Sequence, residues 1–266
     1  MCSAFCTACA KKASKSLVDR LGDSVLRALA PAWETVPSEF RNVRSDRELH
    51  RSMLAQIQML RGAVYRQDGA ISASDLDAQG RHCQPIDDQS WHLVLQDADR
   101  RMLACLGLTL HPVGVQYRDL ALKGVVGRMA PEIAPRFTTA IEAVIEQARK
   151  ESLQFVEAGG WALDQKHRRS YRAPLLACAC WSTGQLIGQA LAVATATKRN
   201  HSAEILRRLG GYPLGEEEPE SQSFFDPYYQ CEMEILGFDS RRPDPRYAET
   251  VADLTDYLAF AEVVTP

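Results

Sequence analysis

Apolar residues recur along this chain in two rhythms: a period of three to four that marks helices, and short apolar runs that mark strands. Leu17, Leu21, Val25 and Leu29 predict a helix over Lys11–Ala30, stopped by Pro31. Pro31–Asp46 reads as a linker, and Ser45 or Asp46 opens a second helix running to about Arg66. Its apolar stripe is Leu49, Met53, Ile57, Leu60 and Val64. Ser90–Gln96 and Met102–His111 predict a strand hairpin turned at Asp97–Arg101. Pro131 starts a helix through about Glu151, with Ile133, Phe137, Ile141, Val144 and Ile145 inward.

From Leu153 to Gly211 the pattern becomes strand, basic turn, helix, strand, helix. Gln154–Leu163 is an apolar run interrupted by Glu157, Gly159 and Gly160, and Gln165–Arg172 is a basic turn. Pro174–Gln189 is small and apolar enough for a buried helix, Ala190–Ala196 is a short strand, and Asn200–Leu209 is a capped helix ending on Gly210 and Gly211. A strand over Tyr228–Phe238 and a helix over Tyr247–Ala261 complete the chain. This order predicts an α/β fold: a mixed, mostly antiparallel central sheet with one parallel βαβ crossover and helices on both faces. It divides the chain into an N-terminal tail, helix and linker (1–45), a main domain (46–240) and a C-terminal helical extension (241–266).

Composition narrows the function. With 266 residues, 45% hydrophobic and 24% charged, the chain can bury a full core, and its net charge of −3 excludes a general nucleic-acid binder. No apolar run reaches the ~18 residues of a membrane span. The absence of a secretory h-region predicts a cytoplasmic protein. Cys83, Cys105, Cys178, Cys180 and Cys231 are scattered in or near apolar runs, as thiols of a reducing compartment are. Cys2, Cys6 and Cys9 have a spacing that radical enzymes use for an iron–sulfur cluster. No strand precedes them and no βα repeat follows, so a tail is expected there and no metal is expected. GEEEPE (215–220) reads as solvated surface.

The segments WALDQKHRRSYRA (161–173) and NHSAEILRRLGG (200–211) stand in the order and separation of two motifs of the GNAT acyltransferase superfamily, which the chain resembles over Arg47–Phe238. Its front half, LRGAVYRQDGAIS (60–72) and PIDDQSWHLVLQ (85–96), looks like the opening region of long-chain N-acyl amino acid synthases and acyl-homoserine-lactone synthases. The resemblance implies an acyl thioester donor, acyl-CoA or the phosphopantetheine of an acyl carrier protein, and a small-molecule amine acceptor such as an amino acid. It also implies that Ala162, Leu163, Arg168, Arg169, Ser170, Tyr171, Arg172, Ala173 and Asn200 hold the donor. Two features depart from the motifs: Tyr171 and Ala173 stand where the turn glycines are usual, and Arg207 where a tyrosine is usual. Both departures fit a carrier-protein donor better than acetyl-CoA. They fit equally a non-catalytic ligand-binding or assembly domain of the same fold.

Acyl transfer needs a slot for the pantetheine, donors for the developing oxyanion and a base for the ammonium proton. Gly159 and Gly160 suit a bulge that opens such a slot, and their N–H groups with that of Trp161 are the expected carbonyl donors. Glu157, a carboxylate inside an apolar run, is the expected base, with a structural ion pair as the other reading. Arg168–Arg172 places N–H groups and positive charge at a helix N-terminus, where a phosphate would sit. Lys198, Arg199, Arg207 and Arg208 add basic surface that would attract an acidic carrier protein. His92, in a strand, is expected in the core.

Overall fold

The computed structural model describes residues 15–32, 35–215 and 223–266, without the side chains of Lys15 and Ser16. Cys2, Cys6, Cys9, Lys11 and Lys12, and the acidic loop after Gly215, lie outside the described residues. The helices are α1 (Lys15–Leu21), α2 (Arg47–Gln67), α3 (Lys123–Val126), α4 (Ala134–Lys150), α5 (Arg172–Leu186), α6 (Ser202–Arg208) and α7 (Ala248–Leu258). Ten strands form one sheet: β1 (Val25–Leu29), β2 (Val43–Ser45), β3 (Trp91–Gln96), β4 (Met102–His111), β5 (Gln154–Leu163), β6 (Ala190–Thr197), β7 (Tyr212–Pro213), β8 (Ser223–Asp226), β9 (Cys231–Asp239) and β10 (Val263–Thr265). None of the described helices is long and apolar enough to cross a membrane.

The strand order is β2-β10-β1-β3-β4-β5-β6-β9-β7, with β8 on the side of β9. The expected mixed sheet is present: the β3–β4 hairpin is antiparallel, and β5 and β6 run parallel through the α5 crossover. Helices α2 and α4 cover one face, α5 and α7 the other. Helix α5 is apolar nearly all round because it is sandwiched between the sheet and α7, against which Ser182 Oγ donates to the Val251 carbonyl (2.9 Å).

Three strands come from outside residues 46–240. The helix expected over Lys11–Ala30 breaks in two, since Gly22, at φ +56°, turns the chain after Leu21 and Val25–Leu29 pairs with β3 instead. The four apolar residues at helical spacing thus serve a helix and then a strand. The expected linker contains β2, and the chain's last residues insert as β10, parallel to both β1 and β2. Val263 and Val264 are fully buried there, and Arg27 of β1 donates to Glu262 (2.8 Å) and Gln96 (3.0 Å).

Helix α2 starts on its expected cap: the Asp46 side chain accepts from the Leu49 N–H at 3.0 Å. Its inner face carries Arg61, only 2% exposed, which grips Asp87 with two bonds of 2.8 and 2.6 Å. Gln58 and the Gln84 N–H also donate to Asp87. This ion pair fastens α2 to the segment that leads into β3. His92 joins it as a core residue, its Nε2 2.8 Å from the Asp87 carbonyl oxygen.

Burial alone would raise the Asp87 carboxyl, but the hydrogen bonds and charge of Arg61 outweigh it and hold it below the ordinary value. Its contribution to stability is therefore full above the unfolded carboxylate pKa near ~3.9 and is lost as pH falls through the lower folded value. Asp87→Ala leaves a buried guanidinium unpaired and should cost about 3–5 kcal/mol, read as a fall in the urea midpoint at neutral pH. At a pH below both carboxyl values the midpoints of variant and parent should converge; a neutral-pH loss under about 1 kcal/mol would contradict the assignment.

Candidate active site

The site begins where two parallel strands part. Strands β5 and β6 pair from Gln154↔Ala190 to Ala158↔Ala194, and there the ladder ends. Beyond it β6 stays with β9 as far as Thr197↔Met233, while β5 stays with β4. On the β4 side, Gly107 faces Gly159 but Cys105 faces Ala162, so Gly160 and Trp161 together oppose Leu106 in a bulge. Gly160 sits at φ +64°, and a Cβ there would lie 3.2 Å from Arg61 Nη1. Glycine is required both for the backbone angle and for the buried arginine beneath it. On the β6 side the backbone groups of Gly159, Gly160 and Trp161 have no strand partner.

A cavity of ≈ 560 Å³ starts at this gap and runs between α5 and the sheet. It exists because small side chains meet. Strand β6 turns Ala190, Ala192, Ala194 and Ala196 to the cavity and packs Leu191 and Val193 into the core on the other face. Helix α5 answers with Ala173, Ala177, Cys180 and Gly184, followed by Ile187, at the i, i+4, i+7, i+11, i+14 spacing of one helical stripe. Leu106, Leu108, Val156, Trp181 and Phe238 complete an apolar wall, and Ile187, Ala190 and Ser240 line it at the level where β6 begins.

The mouth is polar. Asp68, at the C-cap of α2, reaches across it: Arg168 Nη2 lies 2.8 and 2.7 Å from its two carboxylate oxygens, and Asn200 Nδ2 is 2.9 Å away. Arg199 donates to the Asp68, Tyr229 and Gln230 carbonyls. One aspartate thus joins the β5–α5 loop to the β6–α6 loop. Tyr65 and Gln84 line the mouth from the α2 side, with the Tyr65 hydroxyl 3.5 Å from the Trp161 carbonyl oxygen.

Of the residues expected to hold a donor, Ala162, Leu163, Arg168, Arg169, Ala173 and Asn200 line the cavity, as do Gly159, Gly160 and Trp161. Ser170, Tyr171 and Arg172 do not. Ser170 Oγ accepts from the Arg172 N–H (3.3 Å) just before α5, and the Tyr171 ring lies under the Arg20 guanidinium, 4.8 Å from its centroid. Tyr171 therefore stacks on α1 rather than crowding the phosphate position. Asn200 is not the cap of α6, which begins at Ser202 behind His201 in a left-handed turn (φ +58°); its side chain is spent on Asp68. Arg207, at the motif's tyrosine position, lies 3.6 Å from Glu234, a carboxylate only 1% exposed that also faces Lys198 at 3.9 Å. A buried acid on β9 accounts for the base on α6.

Glu157 is also turned away. It alternates with Val156 and Ala158, so its side chain leaves the opposite face of the sheet and does not line the cavity. There His111 Nε2 meets its carboxylate at 3.0 Å, and the N–H groups of Ala121 and Leu122 donate at 3.1 and 2.6 Å. The structural pairing weighed for Glu157 from sequence is thus made with a histidine and two backbone N–H groups. Among the described residues, Asp68 is the one carboxylate that lines the cavity. Burial raises the Tyr65 phenol and the Cys180 thiol, so both stay neutral at physiological pH.

Sequence reasoning passed over Tyr65, Asp68, Cys180 and Trp181, all of which line the cavity. Two signals were present for the tunnel: alanine at every second position of Ala190–Ala196, and the small-residue stripe of α5.

No protein-family model and no curated protein matches the sequence. Solved structures do match in shape. BjaI, a CoA-dependent acyl-homoserine lactone synthase in complex with MTA, gives a TM-score of 0.54 at 14% identity over 91% of this chain and 93% of its own. The same protein with SAM and isopentyl-CoA gives 0.52 at 15% identity over the same shares. TofI, in a ternary complex with an inhibitor and MTA, gives 0.50 at 14% identity over 87% of this chain and 96% of its own. The chain has the GNAT-like fold that these synthases share.

Proposed function

We propose that this chain is an N-acyltransferase that moves a fatty acyl group from a pantetheine thioester to the amine of a small acceptor. The observation that carries the reading is the largely apolar cavity opening at the gap between β5 and β6. A pantetheine arm hydrogen-bonds much like an extended strand, and the unpartnered edge of β5 is what such an arm would pair with. The thioester carbonyl would lie at the bulge, facing the N–H groups of Gly160 and Trp161. The Trp161 side chain lines the same space. The amine would come from the side of Tyr65 and Gln84, attack the carbonyl carbon, and expel the thiolate as the C–S bond breaks.

Depth supports a long chain. From Gly159 to the level of Ala190, which pairs with Gln154, is five strand residues. At ~3.3 Å each that is about 16 Å, and with three bonds per residue it corresponds to roughly fifteen bonds of an extended chain. The donor's carrier is read from the rim. Arg168 already spends its charge on Asp68, which weakens a pyrophosphate site, whereas Lys166 and Arg169 on the rim loop would attract an acidic carrier protein. The acceptor class, a small amine such as an amino acid, rests on the fold likeness together with the open polar mouth, and the chain would act in the cytoplasm. With no free carboxylate among the described residues of the cavity, the ammonium would lose its proton to solvent at the mouth. Glu157 would act as a positioning residue, tying β5 to the segment that leads into α3.

Acyl transfer should be measured as thiol release with pooled amino acids. Hexadecanoyl thioesters should outperform acetyl thioesters by at least about tenfold in kcat/KM, and no release from any thioester would overturn the reading. Ala192→Phe, which fills the cavity, should erase that preference while sparing short donors. Asp68→Asn should free Arg168 and lower KM for acyl-CoA more than for acyl carrier protein; equal effects on both would remove Arg168 from the phosphate position. Glu157→Gln should lower the denaturation midpoint and leave donor KM unchanged. The pH profile should rise as the acceptor ammonium loses its proton and should shift when an amine of different pKa is supplied. A limb that stays fixed across acceptors would instead point to a base in the protein.

A further inference from the structure

A second hollow, of ≈ 670 Å³, adjoins the cavity, and Pro37, Leu110, Pro112, Gln154 and Ile187 are among the residues that line it. Strand alternation places it on the same face of the sheet. Along β5, Ala158 and Val156 line the cavity, and Gln154, next on that face, lines the hollow. Along β4, Leu106 and Leu108 line the cavity and Leu110 lines the hollow. Leu110 pairs with Val156 across the ladder, so the two spaces meet at one level on both strands. Ile187, at the C-cap of α5, is the one residue among those described that lines both. It is 7% exposed, and Gly188 and Gln189, at φ +97° and +70°, turn the chain away into β6 directly after it.

We propose that Ile187 sets the length of the acyl chain. A hexadecanoyl chain ends against it, and the hollow beyond receives the end of a longer chain only when that side chain is made smaller. The proposal rests on the acyltransferase reading and adds the residue that determines which chains fit. Length follows from the register: the level of Ala190, three residues after Ile187, is where roughly fifteen bonds of an extended chain end, counted from the bulge. The chemistry of the hollow suits a hydrocarbon end. Pro37, Leu110, Pro112 and Ile187 are apolar, and His111, the one titratable side chain that lines it among the described residues, is held by Glu157 at 3.0 Å. Pro112 and Gln154 are exposed, so the hollow opens to solvent and a chain entering it would meet no closed end.

The test is binding of dodecanoyl-, hexadecanoyl-, octadecanoyl- and icosanoyl-CoA to the intact protein by calorimetry. Each methylene taken out of water is worth about fourfold in affinity. In the parent, hexadecanoyl-CoA should bind at least about tenfold more tightly than dodecanoyl-CoA, and the two longer chains should gain nothing further. Ile187→Ala should let icosanoyl-CoA bind at least about tenfold more tightly than hexadecanoyl-CoA, and adding Leu110→Trp, which fills the hollow, should abolish that gain. Ile187→Val is a milder core change that keeps the test open should the alanine variant not fold; it should raise octadecanoyl-CoA affinity above that for hexadecanoyl-CoA. Affinity that keeps rising to icosanoyl-CoA in the parent, a break that stays in place in the Ile187 variants, a gain that survives Leu110→Trp, or no binding of any chain overturns the proposal. Thiol release from hexadecanoyl-CoA, measured separately, reports on the acyltransferase reading whichever way the length series falls.

Discussion

Two parallel strands that cease to pair leave backbone N–H and C=O groups facing each other across a gap, and buried groups of that kind need partners. The gap at the head of the site follows from that parting after Ala158↔Ala194. Strand β6 stays with β9, and β5 stays with β4 by means of a bulge at Gly160 and Trp161. The bulge is held from below by Arg61, which Asp87 fixes in place, so the ion pair that anchors α2 also sets the floor of the gap. A breach in a sheet would ordinarily be a weakness. In this fold it is an extended edge presented to a ligand able to pair with it.

The rest of the cavity is a packing decision. Alanines on one face of β6 and the small stripe of α5 leave a space that larger apolar residues would have filled. Leu191 and Val193 on the other face of the same strand pack fully. The emptiness is thus confined to one side, at the place where the strands part. An apolar channel continuous with a polar mouth suits a molecule with a polar head and a hydrocarbon tail, and Asp68, Arg168 and Asn200 hold that mouth to a defined width.

Much of this was legible in the sequence. The strands Gln154–Leu163 and Met102–His111 have the bounds that their apolar runs announce, and the paired glycines mark the bulge. What was hidden has physical reasons. Glu157 reads as a lone acid in an apolar run, and strand alternation decides which face it serves; its partners His111, Ala121 and Leu122 are brought to it by the fold, not by spacing. Asp68 reads as an ordinary residue after a helix, because its pairing with Arg168 spans a hundred positions. The strand at Val263–Thr265 is too short to announce itself, and Val25 and Leu29 fit a helical stripe as well as a strand. The alternating alanines of β6 were visible, but alanine suits either a tight core or a deliberate void, and only the opposing stripe on α5 distinguishes them.

The central claim is that the space between α5 and β6 holds a long acyl chain whose thioester lies at the Gly160 bulge. A crystal structure of the protein with a non-hydrolysable hexadecanoyl-pantetheine analogue tests it most directly. The account predicts continuous density for the pantetheine along the free edge of β5, the carbonyl oxygen facing the Gly160 and Trp161 N–H groups, and the chain running past Trp181 to Ala190. Density for the chain elsewhere, or α5 closed down on β6 with the analogue outside, would contradict it.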